Sequence, residues 1–335
     1  MSSNGPPLVS IVIPAYNASA YVGRAIKTAL SQTHQRIEII VVDDGSRDNT
    51  GEVVRSFRDS RITYIAQENR GQGAARNRGI RISSGKYVTF LDADDCYFPR
   101  KVEREVELLE THPDYQVVFC DALHYYPNRP DRLRGRRYYG DPRSVFAELL
   151  RSSFINPNTI MAVGDILRGE FLFREERYYP EEWDLCLRLA RAGVRFAHLD
   201  EALVVVEIRR GSNTRMDIQW ILKRHTLEMF ERLFAQMDEA ERGACAAAGI
   251  LRRCKLRLAA AYLASEDPAQ VDGLLADLFP PLVARAVRTG LRMIPARMIR
   301  VSARAVWTLR QRFRLPPWRD AAVGRAWGEL MRDCL

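Results

Sequence analysis

Residues 37–57 read IEIIVVDDGSRDNTGEVVRSF. A β-rich apolar run enters the turn chemistry of Asp43, Asp44, Gly45 and Ser46, after which Val53, Val54 and Phe57 recur at helical spacing. The same unit stands on either side of it. Upstream, LVSIVIP (8–14) is followed by a helical pattern of Tyr21, Val22, Ala25, Ile26, Ala29 and Leu30. Downstream, RITYIAQ (61–67) leads through NRGQGAARNRGI (69–80) to a fourth strand, KYVTFL (86–91). This alternation predicts an α/β fold: a mostly parallel, Rossmann-like sheet covered by helices on both faces, with ligands at the carboxyl ends of the strands.

The pattern continues with a helix over about 99–111, a strand in YQVVFCDALHYY (115–126), a polar loop around 127–142 and a short helix. Next, YYPEEWDLCLRLARAG (178–193) reads as a helix opened by Pro180 and acidic residues and closed by Gly193. Beyond FAHLDEALVVVEIRRGSNT (196–214) the pattern is helical to the end. The boundary is therefore expected near residue 216, with a domain over 1–216, in halves of about 8–98 and 99–216, and a helical, Arg-rich region over 217–335.

At 335 residues and 47% apolar, the chain can bury a substantial core. Its six cysteines are scattered, without metal-ligand spacing, which argues against a disulfide scaffold or zinc module and for a reducing compartment. The N-terminus lacks a signal-peptide pattern, and no apolar run approaches the roughly 18 residues of a spanning helix, so the expected location is cytoplasmic. The net charge of +9 is unevenly spread: no acid occurs from Leu278 to Arg319, while ten arginines gather there. An apolar stripe of Val287, Leu291, Ile294, Met298, Val301 and Ala305, broken by Pro295 and followed by Trp307, gives this tail two readings. It either lies on the anionic inner face of a membrane as a peripheral contact or packs as a helical subdomain with its arginines in water.

The densest acidic feature is in YVTFLDADDCYFP (87–99). On an extended strand Asp92 and Asp94 project together, and Asp95 begins the turn. Adjacent carboxylates repel unless a cation or donors lie between them. Hard divalent cations such as Mg²⁺ or Mn²⁺ bind through one or two carboxylates plus substrate phosphates. The alternative is an acidic turn in which Asp95 caps the helix beginning near Pro99.

Taken in order, VSIVIPAYNASAYVGRAIKTALSQTH (9–34), IEIIVVDDGSRDNT (37–50), NRGQGAARNRGI, GKYVTFLDADD (85–95) and PEEWDLCLRLA (180–190) resemble glycosyltransferase family 2. These are inverting nucleotide-sugar transferases of the GT-A, or nucleotide-diphospho-sugar transferase, fold, and the resemblance covers roughly residues 8–214. It implies that Pro14, Ala15 and Tyr16 lie against the nucleoside and that Asp44 accepts from a base N–H, favouring uridine. It also puts Arg76 near the nucleotide, Asp92 at the ribose or metal, Asp94 on the metal bridging the diphosphate, and Asp95 at the donor sugar or in a cap. A divalent cation, Mn²⁺ or Mg²⁺, is the implied cofactor. The implied partners are a nucleoside-diphosphate sugar donor and a saccharide or lipid-linked acceptor.

The family's base comes from a Glu-Asp pair, and the matching position here is Glu182, one methylene longer than Asp. Asp184 and Glu181 are the neighbours that could serve instead. A second departure is Arg210, beside Arg209, where many relatives carry His. An arginine cannot ligate a metal, but its donor fork suits a diphosphate.

Other classes fit less well. A sugar-phosphate nucleotidyltransferase would want a Gly-rich, basic loop after the first strand, and IPAYNASAYV has no glycine before Gly23. A non-catalytic sugar- or lipid-binding module stays open through Glu182. Nucleic acid is not an expected partner, because the basic residues concentrate in the tail and no recognition motif accompanies them.

Overall fold

The computed structural model describes residues 5–127, 134–136, 138, 144–209, 219–264, 274 and 277. Its N-terminal half alternates β1 (Val9–Ala15), α1 (Val22–Leu30), β2 (Ile37–Asp43), α2 (Thr50–Ser56), β3 (Ile62–Ala66), α3 (Gln72–Ile82) and β4 (Tyr87–Phe90). Every residue of β1 and β4 is buried, which explains their mostly apolar character; the buried Ser10 and Thr89 hydroxyls donate to Glu38 Oε1 and Ile160 O. Helix α1 buries Val22, Ala25, Ile26 and Ala29, a stripe at three- and four-residue spacing. Gly79 lets α3 sit close on β1, since a Cβ there would come within 2.3 Å of Val12 Cγ1.

The second half contributes β5 (Cys96–Tyr97), α4 (Lys101–Thr111), β6 (Val117–Tyr125), β7 (Arg134–Arg136), α5 (Val145–Leu149), β8 (Ile160–Val163), α6 (Gly164–Gly169), α7 (Glu181–Arg191) and β9 (Phe196–Glu207). The sheet order is β3-β2-β1-β4-β8-β6-β9-β5, with β7 on β6. Strands β3, β2, β1 and β4 pair in parallel as expected, each joined by a crossover helix. The remainder is mixed: β8 runs antiparallel to both β4 and β6, β5 is antiparallel to β9, and β6 is parallel to β9 across a bulge at Asp121. The chain leaves β1 towards β2 and β3, then returns to β4 on the other side of β1. That reversal opens a crevice at the carboxyl ends of β1 and β4.

The helix after the acidic turn begins at Lys101, and the residue at its N-cap is Arg100. Asp95 is therefore not its cap. Helix α7 carries Glu181, Glu182 and Asp184 in its first turn, and Gly193 ends the segment at φ +81°.

The described residues form two compact units. One runs to Arg177 and resumes over Glu181–Arg209; the other holds Tyr178–Pro180 and the helices α8 (Gln219–Ala235), α9 (Glu239–Ala244) and α10 (Ala247–Ala264). Within the second, Trp220 stacks on Tyr262 with centroids 5.6 Å apart, and Asp238 and Glu241 form a capping box at α9. No helix among the described residues is long and apolar enough to cross a membrane. The expected boundary near residue 216, Arg210 and the basic stretch from Leu278 to Arg319 lie outside the described residues, as does most of the 127–142 loop.

Candidate active site

The crevice is built from loops that clamp one another. At the end of β1, Ala15 O accepts from Asp44 N at 2.8 Å, and Pro14 and Ala15 are strand backbone. Tyr16 is 48% exposed at the mouth, so it is a surface aromatic and not core. Asn17, at φ +47°, accepts from Arg47 N through its Oδ1 and donates its own N–H to Ser46 Oγ, tying the β1 loop to the β2 loop.

Asp43 and Asp44 have separate jobs. Asp43 accepts from Ser46 N at 2.8 Å and from Tyr64 Oη at 2.7 Å, which satisfies the turn and β3. Asp44 is buried and accepts from Gln67 Nε2, Arg70 N and Gly71 N at 2.7–2.9 Å, fixing the loop that opens α3.

Arg76 is neither solvated nor on the rim: it is 1% exposed. Its Nη2 donates to Asp92 Oδ1 at 2.7 Å and its Nη1 to Glu181 Oε1, while the guanidinium lies over the Phe173 ring at 5.4 Å. One cation thus joins the acidic turn after β4 to the acidic first turn of α7. Gly73 makes this approach possible, because a Cβ there would come within 2.3 Å of Arg174 O and 2.7 Å of Glu181 Oε2.

The three aspartates are unequal. Asp95 is buried and accepts from Glu207 N at 2.8 Å and from Asn158 Nδ2, which makes it a brace. Asp92 accepts from Arg76, and its backbone N–H donates to Asn158 Oδ1 at 2.6 Å. Asp94 keeps its side chain 30% exposed, receives the guanidinium of Arg209, and has its carbonyl oxygen held by Arg24 Nη2 at 2.8 Å. Burial, then the charge of Asp92, raises the Asp94 carboxyl above its ordinary range against the pull of Arg209. Burial and both neighbours push Asp95 higher still. Two oxygen-rich carboxylates that repel each other and are partly open to solvent fit a hard divalent cation, with Asp94 the more available ligand.

Around α7, burial first, then the charges of Glu182 and Asp92, raises Glu181 against the pull of Arg76. Asp184 is buried and accepts from Arg188 Nε at 2.7 Å, with Arg174 Nε at 3.7 Å. Glu182 is the half-buried acid of the three.

Asn158 was not among the expected site residues, although it is fully buried and braces both Asp92 and Asp95. Its only signal is the turn-forming INPNT, where Asn156 and Thr159 form a capping box around it. Arg209 takes a place at Asp94 that was not foreseen, the expected anion-binding residue being Arg210. Elsewhere, Asp121, His198 and Asp200 bring potential ligand atoms within 4.8 Å of one another. There His198 Nε2 lies 2.8 Å from Asp121 Oδ1 and the imidazole stacks on Phe119, so the pair serves the packing of β6 on β9.

Carboxylates gathered at the topological switch point of the sheet mark this crevice as the candidate ligand site. The model of the family described as "Glycosyl transferase family 2" matches residues 10–168. An uncharacterized glycosyltransferase of Rickettsia prowazekii is 32% identical over 238 residues, covering 68% of this chain and 71% of that protein. The chain belongs to glycosyltransferase family 2 and is a glycosyltransferase. Among solved structures, TarS of S. aureus in complex with UDP-GlcNAc superposes with a TM-score of 0.56 at 21% identity, over 89% of this chain and 91% of that one. The mannosyltransferase PcManGT of Pyrobaculum calidifontis, in complex with GDP-Man and Mn²⁺, does so with 0.57 at 17% identity, over 92% and 85%. These likenesses establish the GT-A fold.

Proposed function

We propose that this chain is a cation-dependent inverting glycosyltransferase. It moves a sugar from a nucleoside-diphosphate donor, with uridine favoured, to a hydroxyl of a saccharide or lipid-linked acceptor in surface polysaccharide or glycolipid synthesis. The observation that carries this reading is the Arg76 bridge, which fixes the acidic turn of the donor side to the first turn of α7. A donor-side cation site and an acceptor-side base are thereby held on one rigid support.

Asp94, with Asp92, would hold a divalent cation, which as a Lewis acid would neutralise charge developing on the departing diphosphate. Tyr16 offers an exposed ring for stacking on the base, and the loop pinned by Asp44 forms the wall beside it. Glu182 takes the proton from the acceptor hydroxyl. Glu181 and Asp184 are committed to Arg76 and Arg188 and act by keeping Glu182 in register. The mostly apolar α1–β1–β2 layer beneath the crevice supplies the rigidity this needs.

The test is turnover of a panel of UDP-, GDP- and dTDP-sugars with Mn²⁺, following nucleoside diphosphate release. One donor is expected to be consumed, and EDTA is expected to stop it. Turnover undiminished in EDTA would reject cation dependence, and release from none of the donors, with saccharide and lipid acceptors supplied, would reject the assigned reaction. The anionic-membrane reading of the tail belongs to this proposal as the route to a lipid-linked acceptor.

A further inference from the structure

We infer that Arg209 is a counter-cation of Asp94 that competes with the divalent metal for this carboxylate and passes to the donor diphosphate when metal and nucleotide arrive together. The inference rests on the donor-and-cation reading above and adds a binding residue and an order of events to it.

Both candidate cation ligands carry a guanidinium in this structure, and the two guanidiniums differ in freedom. Arg76 is 1% exposed, lies over Phe173 and is shared between Asp92 and the buried Glu181, so moving it would strip a buried carboxylate of its counter-charge. Arg209 stands at the end of β9, 30% exposed, against Asp94 Oδ2. Its guanidinium carbon lies 3.9 Å from the centroid of the Tyr21 ring, and its Nε is 3.7 Å from Glu207 Oε1. An aromatic face and a second carboxylate thus keep the cation at the crevice when its partner is lost. Arg24 holds Glu207 Oε2 at 2.6 Å and Asp94 O at 2.8 Å, which fixes the backbone around the exchange while leaving the Asp94 side chain to Arg209.

Arg209 neutralises the Asp94 carboxylate through Oδ2, and a divalent ion on the same carboxylate repels the guanidinium beside it. Metal binding at Asp94 therefore weakens the Arg209 contact, leaving Glu207 Oε1 at 3.7 Å, and favours a further anion beside the guanidinium. A nucleoside diphosphate supplies one in the fork geometry that arginine favours. Metal alone should bind weakly, metal with diphosphate strongly, and a nucleoside monophosphate should recover little of the difference.

The test is Mn²⁺ titration of the full chain followed by the paramagnetic signal of free Mn²⁺, without nucleotide, with UMP and with UDP. It is run on the wild type, Arg209→Gln and Arg209→Lys. In Arg209→Gln the affinity for Mn²⁺ alone is expected to rise about threefold to tenfold. UDP affinity at saturating Mn²⁺ is expected to fall about tenfold, with UMP little changed and Arg209→Lys intermediate. Equal affinity for Mn²⁺ alone in wild type and Arg209→Gln, with UDP-dependent binding intact, would overturn the role of Arg209 and leave the donor reading standing. No Mn²⁺ binding by any of the three proteins, with UDP, GDP or dTDP present, would overturn the donor-and-cation reading itself, and this inference with it.

Discussion

Replacing Arg76 with methionine is expected to destabilise the protein by about 3 to 5 kcal/mol, the cost of removing one partner from a buried ion pair. Glu181 is the group that sets this cost: it is 2% exposed and would lose the guanidinium that pairs with it. Asp92 is more open and contributes less. The loss should depend on pH in a defined direction. Without Arg76, burial and the charges of Glu182 and Asp92 all raise the Glu181 carboxyl, so the folded state holds that proton more tightly than the unfolded chain does. Stability of the variant is then greatest below the unfolded value and is lost as pH rises through the folded one. Urea unfolding at several pH values checks both parts, and pairing the change with Glu181→Leu should recover most of the loss. A pH-independent cost below about 1 kcal/mol would mean that the bridge does not hold a buried charge.

The second large effect is catalytic. Glu182→Gln is expected to lower kcat by about 10² to 10⁴, the range for loss of a general base, while leaving nucleotide affinity within about twofold. Asp184→Asn should behave differently, because Asp184 is buried and accepts from Arg188 Nε. Its substitution should reduce stability and, through the loosened register of Glu182, lower kcat by much less than Glu182→Gln does. Steady-state kinetics with calorimetric binding separates the two. A loss of kcat in Asp184→Asn with stability unchanged would move the role of base from Glu182 to Asp184.

The parallel half of the sheet was legible because β1, β2 and β4 are almost wholly buried and read as predominantly apolar runs with turn residues after them. The mixed half was not. Strand β5 has two residues and β7 three, too few for any periodicity, and the partner of β5 is β9, far along the chain. The same limit applied to the site. The carboxylates of the LDADD turn could be picked out by their density, but not sorted into a part-open carboxylate at Asp94 and a buried brace at Asp95. That sorting is done by Asn158 and Glu207, which lie 63 and 112 positions away from Asp95. Arg76 on a polar helix reads as solvated or nucleotide-facing. Its burial follows from Glu181, 105 positions further on, and from the absence of a side chain at Gly73.

Calorimetric titration of UDP, GDP and dTDP in Mn²⁺ and again in EDTA, on the wild type and on Asp94→Ala, asks whether Asp94 holds a cation that holds the donor. One nucleotide is expected to bind, EDTA to remove the binding, and Asp94→Ala to lose it while keeping the wild-type melting temperature. Binding of equal strength in the mutant, or in EDTA, would contradict this: the acidic turn would then be a brace alone, and no cation would join the donor to Asp94.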